Sequence, residues 1–138
     1  MSINKFALTG LIALASLGMA SKAMANGRNP GSLLLFPEFD NRGGDLTLLT
    51  VTNTNTGVNA DGSDGSVKVE FVYIGKYGHD HHQLDCLEFN RTETLTANDT
   101  LSLITEVHNP QHEQGYVYAF AKDRVTGKAK VFNHLIGN

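Results

Sequence analysis

Residues 67–74 alternate side chains with a period of two, and this pattern constrains the fold more than any other segment of the chain. The segment reads Val-Lys-Val-Glu-Phe-Val-Tyr-Ile, so four apolar side chains fall on one side of an extended strand, with Lys68 and Glu70 on the other. Val72 and Ile74 make the second side apolar as well toward the end of the segment. A strand that is apolar on both sides is buried on both sides, so the pattern predicts a central strand.

Six further segments have the composition of short strands and are separated by clusters of Gly, Asn, Asp and Pro. They cover residues 32–39, 46–54, 84–95, 100–107, 116–121 and 128–136. Almost nothing after residue 25 has the periodicity of a helix. Seven short strands with turns at this spacing predict an all-β fold, a single antiparallel β-sandwich of about seven strands. An up-and-down β-barrel is the alternative architecture.

Four of these segments carry more specific information. Pro37 interrupts the first segment and lacks the N–H that a central strand needs, so we expect an edge strand there. Apolar positions change parity between Cys86 and Leu87, which predicts a β-bulge. Residues 116–121 place their three aromatic side chains on one face. We expect the last strand at a sheet edge, where it can pair with another subunit.

Three stretches resemble the immunoglobulin-like modules of bacterial surface and periplasmic proteins. They are LLTVTNTNTG at residues 48–57, VKVEFVYI at residues 67–74 and LTANDTLSLIT at residues 95–105. Here Ala97 and Asn98 stand where such modules usually have Pro-Gly, and the Cys…Trp…Cys pattern of antibody domains is missing. The resemblance implies an extracytoplasmic immunoglobulin-like β-sandwich. It implies no single activity, because such modules serve adhesion, filament building, spacing and ligand binding.

The N-terminal segment has the three parts of a secretory signal. Lys5 gives a short positive start, residues 6–19 are apolar and uncharged, and the segment ends in Ala-x-Ala, the small residues that a signal peptidase reads. The apolar run is too short to span a bilayer comfortably, and a retained membrane anchor is the alternative. We therefore expect residues 1–25 to be a cleaved signal peptide. Residues 26–138 would form the β-sandwich domain, periplasmic or secreted and without stable membrane insertion.

Removal of this segment makes the chain more acidic. The full chain has 11 Lys and Arg against 14 Asp and Glu, a net charge of −3, and residues 1–25 contain two of the basic side chains and no acidic one. The mature domain would therefore carry a net charge of −5. An acidic domain with scattered basic residues lacks the basic patch that nucleic acids require and the polybasic segment that anionic lipids attract. We expect no nucleic-acid partner.

Cys86 is the only cysteine, so the domain cannot form an internal disulfide. Exported domains of this size often contain one, and the stability must come instead from core packing or from association. Because a free cysteine is among the most buried residue types, we expect Cys86 to be buried and inert. The alternative is an exposed Cys86 that can bridge two chains.

Histidines are concentrated in two predicted loops. His79, His81 and His82 lie in one loop, and His108 and His112 lie in another. Neutral imidazole is the commonest metal ligand, and zinc or copper needs three or four ligands that converge. These five histidines are candidate zinc or copper ligands, with solvated loops as the alternative. If the strands run antiparallel in order, the loops after the third and fifth strands emerge at the same pole, so we expect both groups of histidines there.

No catalytic motif is present in the sequence, which has no G-x-S-x-G, no H-E-x-x-H and no phosphate-cradling glycine loop. We therefore expect a non-enzymatic domain without a resident cofactor, zinc or copper excepted. The leading hypothesis is an interaction or structural module of the cell envelope or exterior, with a protein partner or self-association through an edge strand. The alternative is a periplasmic metal-binding protein that uses its histidine loops.

Overall fold

The computed structural model describes residues 29–58, 62, 64–77 and 86–138. The predicted signal peptide at residues 1–25 and three candidate metal ligands, His79, His81 and His82, lie outside the described residues. Within the described ranges, no helix has the length and apolarity that a membrane span requires.

Seven β-strands form nearly all of the regular structure of the described residues, which confirms the predicted all-β fold. They are β1 (Leu33–Asp40), β2 (Leu48–Asn53), β3 (Val67–Tyr77), β4 (Leu87–Leu95), β5 (Thr100–Ile104), β6 (His112–Lys122) and β7 (Leu135–Gly137). A short 3-10 helix at Arg42–Gly44 follows β1, and a single-turn helix α1 (Thr105–His108) follows β5.

The strands form two antiparallel sheets that pack into a β-sandwich. One sheet has the strand order β1-β6-β3-β4, and the other has the order β5-β2-β7. β3 lies between β6 and β4, which confirms the central position that its two apolar sides predicted. β1 and β7 are edge strands, as predicted. The register of β1 against β6 shifts between Phe36 and Phe39, so the irregularity falls around Pro37.

The two terminal strands join opposite sheets and are tied to each other. β1 pairs with β6 and β7 with β2, whereas in an immunoglobulin sandwich the first strand pairs with the second and the last with the sixth. The pairings of β2 with β5 and of β3 with β6 do match that sandwich. Gly31 and Leu135 exchange backbone hydrogen bonds of 2.8 and 2.9 Å, which connect the two sheets along one side. On the opposite side, β4 and β5 are the edge strands.

The core lies between the sheets and consists of their inward-facing side chains. The largest fully buried side chains include Phe39, Phe71, Tyr73, Leu95 and Leu135. β3 supplies Phe71 and Tyr73, and the positions paired with them on β6 are the smaller Ala119 and Val117. Large side chains on one strand thus adjoin small side chains on the next, which fills the interior without overpacking.

The strand predicted over residues 100–107 is wrong beyond Ile104, where the chain turns into α1. Thr105 is fully buried, and its N–H donates to the Thr47 carbonyl at 2.9 Å. Its hydroxyl donates to the Asn41 side chain at 2.5 Å. Because these hydrogen bonds attach Thr105 to the connection between β1 and β2, the extended conformation ends there.

Two other predicted boundaries also differ from the structure. β6 begins at His112, so the loop expected over residues 108–115 is shorter than predicted. The last strand is only Leu135–Gly137, although residues 128–136 were predicted. The Ser32 hydroxyl accepts hydrogen bonds from the backbone N–H groups of Phe132 and Asn133, at 2.8 and 3.0 Å. A side chain thus takes the place of a strand partner before β7.

The described part of the fourth strand, Leu87–Leu95, contains no bulge, and residues 84 and 85, which precede the predicted bulge, lie outside the described residues. Pairing of β4 with β3 is unbroken from Leu95, opposite Val67, to Leu87, opposite Gly75. The change of parity occurs instead at Cys86, whose φ is 64°. A residue in the left-handed region cannot continue a regular strand, so β4 begins only after Cys86.

Candidate binding face

The aromatic side chains of β6 lie on the outside of the four-stranded sheet. Strand alternation places Tyr116, Tyr118 and Phe120 on one side of β6, and a valine and two alanines on the other. The valine and alanines are buried, whereas Tyr116 is 41% exposed and the other two rings are partly exposed. Because β3 fills the interior with bulky side chains, the inner positions of β6 hold only small ones and its rings face solvent.

The neighbouring edge strand continues this apolar surface. Leu33 and Leu35 are 62% and 66% exposed, and in the register of β1 and β6 they lie opposite Phe120 and Tyr118. The rings of Tyr118 and Phe120 are nearly parallel, with centroids 6.3 Å apart and 19° between their planes. Two exposed leucines beside these rings form a contiguous apolar patch, and patches of this kind mark interaction sites on soluble proteins.

β3 continues this side of the sheet toward its centre, where the buried Val72 pairs with Tyr118 and the partly exposed Ile74 pairs with Tyr116. We call the outward side chains of these three strands the outer face: Leu33, Leu35, Val72, Ile74, Tyr116, Tyr118 and Phe120. The paired outward positions of β4 are polar, namely Glu88, Asn90 and Thr92. The sheet surface is therefore apolar toward β1 and polar toward β4.

A neutralised charge pair borders the outer face at one end. The Lys122 ammonium lies 2.9 Å from the Glu70 carboxylate, and Thr92 donates a second hydrogen bond to the same oxygen. Burial opposes ionisation of Glu70, but the hydrogen bonds from Thr92 and Lys122 outweigh it and lower the pKa of Glu70 below its ordinary value. Glu70 and Lys122 therefore add no net charge to this border.

A groove of about 360 Å³ lies at the other end of the outer face, where Tyr116 and Cys86 are among its lining residues. Cys86 is exposed, so the expectation of a buried cysteine is wrong. The physical reason is the left-handed conformation noted above, which places Cys86 before β4 rather than inside the apolar strand pattern that predicted its burial. The exposed thiol matches the alternative, in which it can reach a second chain.

His108 joins the two sheets near the β4–β5 side of the sandwich. Its Nδ1 lies 2.6 Å from the Tyr73 hydroxyl, and its Nε2 lies 3.4 Å from a Glu93 carboxylate oxygen. Arg91 Nε donates to the His108 carbonyl at 2.9 Å. The Phe71 ring meets the imidazole edge to face, with centroids 5.1 Å apart. Side chains of β3 and β4 thus hold the helix that leaves β5.

These surroundings favour the neutral imidazole of His108. Burial lowers the pKa of His108 below its ordinary value, and the neighbouring Glu93 opposes that shift only in part. Burial also raises the pKa of Tyr73, so its hydroxyl keeps its proton and can donate to Nδ1. The neutral imidazole of His108 then accepts from Tyr73 at Nδ1 and carries its proton on Nε2, which faces Glu93.

His112, the second candidate metal ligand in the described residues, is buried at the start of β6. Burial lowers the pKa of His112, and its ring approaches Phe89 with centroids 6.4 Å apart. His112 pairs with Tyr77, the last residue of β3, and Asp40 pairs with the nearby Gln114. The ends of β1 and β3 and the start of β6 therefore share the pole at which we expected the histidine loops.

The described residues do not by themselves form a metal centre. Both ring nitrogens of His108 face protein side chains, and no group of three His, Cys, Asp or Glu side chains within the described part of the chain is arranged to hold a metal ion. His79, His81 and His82 lie outside the described residues. Zinc or copper binding by the five histidines stays a prediction.

The outer face was not predicted from the sequence, although residues 116–121 contain a signal for it. Both sides of residues 116–121 are apolar, so alternation alone does not say which side is inside. Side-chain size distinguishes them, because a face of Val and Ala suits the interior beside the bulky β3, and Tyr rings with polar tips suit the surface. Leu33 and Leu35 give no comparable signal, because the sequence alone does not show whether a leucine on an edge strand faces the interior or the solvent.

No protein-family model matches the chain, and no curated protein or solved structure matches it either.

Proposed function

We propose that this chain is an exported, non-enzymatic β-sandwich that acts as an interaction or structural module of the cell envelope or exterior. The observation that carries this proposal is the outer face, on which Leu33, Leu35 and Tyr116 are exposed on the same side of one sheet. Burying an exposed leucine contributes about 1.5–3 kcal/mol, so a partner that covers this surface gains binding energy that the isolated domain leaves unused.

Two further features support the extracytoplasmic part of the proposal. Residues 1–25 have the charge, apolar run and Ala-x-Ala ending of a signal peptide. Part of the chain also resembles bacterial immunoglobulin-like modules. The sandwich has the β2–β5 and β3–β6 pairings of an immunoglobulin sandwich, while β1, β4 and β7 pair differently. We assign no catalytic step to the domain, because its sequence contains no catalytic motif and the outer face is apolar.

The experiment compares two variants that differ only in the sheet on which an exposed leucine is changed. Leu35 on the outer face is 66% exposed, and Leu48 on β2 is 61% exposed. Immobilised wild-type protein and the Leu48→Asp variant should retain the same macromolecule from an envelope extract of the native cells, and Leu35→Asp should lose it. Equal retention by all three proteins would contradict a function through the outer face.

A further inference from the structure

A second groove lies beyond the end of the outer face that Glu70 and Lys122 border, where the connection before β3 meets the turn after β6. Its volume is about 640 Å³, and small-molecule sites occupy about 300–1,000 Å³. Three basic and two acidic side chains are among its lining residues: Lys68, Arg124, Lys130, Asp64 and Asp123. We call it the basic groove.

Lys68 is the basic side chain of this groove that lacks a partner. It is partly buried on the outward side of β3, and within the described part of the chain its ammonium has no ion pair or hydrogen bond. In the register of β3 and β6 it lies opposite Lys122, and like charges directly opposite each other are destabilising. Glu70 neutralises Lys122 at 2.9 Å, whereas the charge of Lys68 is left uncompensated.

Arg124 also has donors that the protein leaves unused. Its Nη1 donates to both oxygens of Asp64, at 3.1 and 2.9 Å, which holds the connection before β3 against the turn after β6. A guanidinium has five N–H donors, and among the described contacts those on Nε and Nη2 have no acceptor. The basic groove therefore has unused donors on two separate elements.

The two carboxylates of the groove are satisfied by their own turns. Asp123 Oδ1 accepts from the N–H of Val125 at 3.0 Å and from the N–H and hydroxyl of Thr126 at 2.6 and 2.9 Å. Asp64 Oδ1 accepts from the N–H of Ser66 at 3.0 Å. These backbone hydrogen bonds lower the pKa of both carboxyls, so both are ionised at neutral pH. The lining still has one more positive charge than negative, in a chain whose net charge is −3.

From this arrangement we infer that the basic groove binds a phosphate group, either free or carried on a small sugar. A phosphate has three or more acceptor oxygens, so it can accept from Lys68 and Arg124 together, and hydrogen bonds between ionised groups are about twice as strong as neutral ones. The volume of the groove also leaves room for an attached sugar. Because the groove is separate from the outer face, phosphate binding and the proposed interaction surface can succeed or fail independently.

NMR titration of the purified protein tests this site with two probes, inorganic phosphate and glucose 6-phosphate, at neutral pH and constant ionic strength. The amide resonances of Lys68, Thr94 and Arg124 should shift together and saturate, with a dissociation constant on the order of 1 mM. Lys68→Gln should raise this constant about five-fold or more, because a charge-assisted hydrogen bond is lost. Lys68→Arg keeps the charge and the donors, and should stay within about two-fold of the wild type.

The matched control is Lys76→Gln. Lys76 is exposed on the same side of β3, near the other end of the strand, so the variant removes the same charge away from the groove. It should leave the dissociation constant unchanged within about two-fold. Thermal unfolding gives a second readout, since phosphate should raise the midpoint of the wild type and not that of Lys68→Gln. Without phosphate, Lys68→Gln should be at least as stable as the wild type, because it removes a like-charge pair.

The two probes distinguish the sources of the phosphate. Tighter binding of glucose 6-phosphate favours a sugar phosphate, and equal binding favours free phosphate. Shifts that do not saturate, or that Lys76→Gln weakens as much as Lys68→Gln, would reflect a general attraction of anions and overturn the inference. Glucose alone, if it shifted the same resonances equally, would overturn it as well. Leu35→Asp should bind phosphate as the wild type does, so a failure at this groove leaves the proposed function of the outer face unaffected.

Discussion

Glu93 on β4 lies 3.4 Å from Nε2 of His108, the last residue of α1. β4 belongs to the four-stranded sheet, and α1 follows an edge strand of the three-stranded sheet, so this pair connects the two layers on the side away from Gly31 and Leu135. The two sides of the sandwich are thus connected by different means. Backbone pairing connects one side, and a buried titratable side chain with its neighbours connects the other.

Acidification should therefore loosen the sandwich at His108. Burial lowers the pKa of His108 in the folded chain below its ordinary value of 6.5, so the unfolded chain takes up the proton more readily. The corresponding stability is fully present above pH 6.5 and is lost as the pH falls through the lower pKa of the folded state. Urea unfolding at pH 7.5 and at lower pH should show a smaller free energy of unfolding in acid.

His112 contributes to the same slope, because burial lowers its pKa in the same direction. His108→Gln should therefore reduce the pH dependence without abolishing it, and histidine resonances followed by NMR should assign each pKa. The carboxyl of Asp40 titrates far lower, since hydrogen bonds from Arg42 hold its pKa at about 2. A wild-type stability that is constant between pH 7.5 and pH 5 would contradict the placement of these two histidines.

Asn53 should be the polar side chain whose loss costs most in β2. It is fully buried, and its amide donates to the carbonyls of Gly65 at 2.9 Å and Thr96 at 2.8 Å while its oxygen accepts from the N–H of Asn55 at 3.0 Å. Asn53→Ala leaves these backbone groups without their partner, and we expect a loss of roughly 3 kcal/mol in the free energy of unfolding.

Asn90 on β4 provides the control, because it is exposed and its amide bonds only to the neighbouring Glu88 among the described contacts. Asn90→Ala should change the free energy of unfolding by no more than about 0.5 kcal/mol. Equal effects of the two substitutions, measured by urea unfolding, would show that the hydrogen bonds of Asn53 to Gly65, Thr96 and Asn55 do not stabilise the fold as expected.

Cys86 should react in the folded protein. Its thiol is exposed beside the groove at the end of the outer face. A maleimide should label the native chain at a rate within about ten-fold of the rate in urea, because access rather than unfolding limits the reaction. Without reductant, the wild type should form a covalent dimer on a non-reducing gel, and Cys86→Ser should not. Protection of the thiol until the chain unfolds would contradict the exposed position.

Cleavage of the N-terminal segment is testable by mass. Expression with export should give a mature protein that begins at Asn26, because the Ala-x-Ala ending places the cut after Ala25. Ala23→Asp should prevent processing, since the peptidase accepts only small side chains there. Recovery of the intact chain from the membrane fraction, with the wild-type sequence, would favour the retained anchor instead.

The sequence predicted the sandwich where periodicity was strong. Residues 67–74 alternate cleanly, and β3 is central as the alternation requires. Pro37 indicated an edge because a missing N–H is a local property of one residue. Strand ends were harder to predict, since they depend on tertiary hydrogen bonds such as those of Thr105 with Thr47 and Asn41, which local sequence does not specify.

The outer face was harder to predict for a different reason. Its orientation depends on what lies beside β6 in the sheet, and Phe71 and Tyr73 are far from it in sequence. The positive φ of Cys86 was also not predictable from the sequence, because the apolar pattern around it allows either a bulge or a turn before the strand. The sequence placed His108 in a loop and as a metal ligand, whereas the structure also gives it Tyr73 and Glu93 as partners.

The strand β1 is the first to be made, yet it pairs with β6, which lies near the other end of the domain. Leu33 cannot meet its place beside Phe120 until most of the domain is available, so the four-stranded sheet forms late and through long-range closure. For a chain that crosses a membrane in extended form, as the proposed signal peptide requires, this order of assembly is an advantage. Folding before transport would block passage through the membrane. Because β1 cannot pair until β6 is available, the four-stranded sheet stays incomplete until most of the chain has crossed.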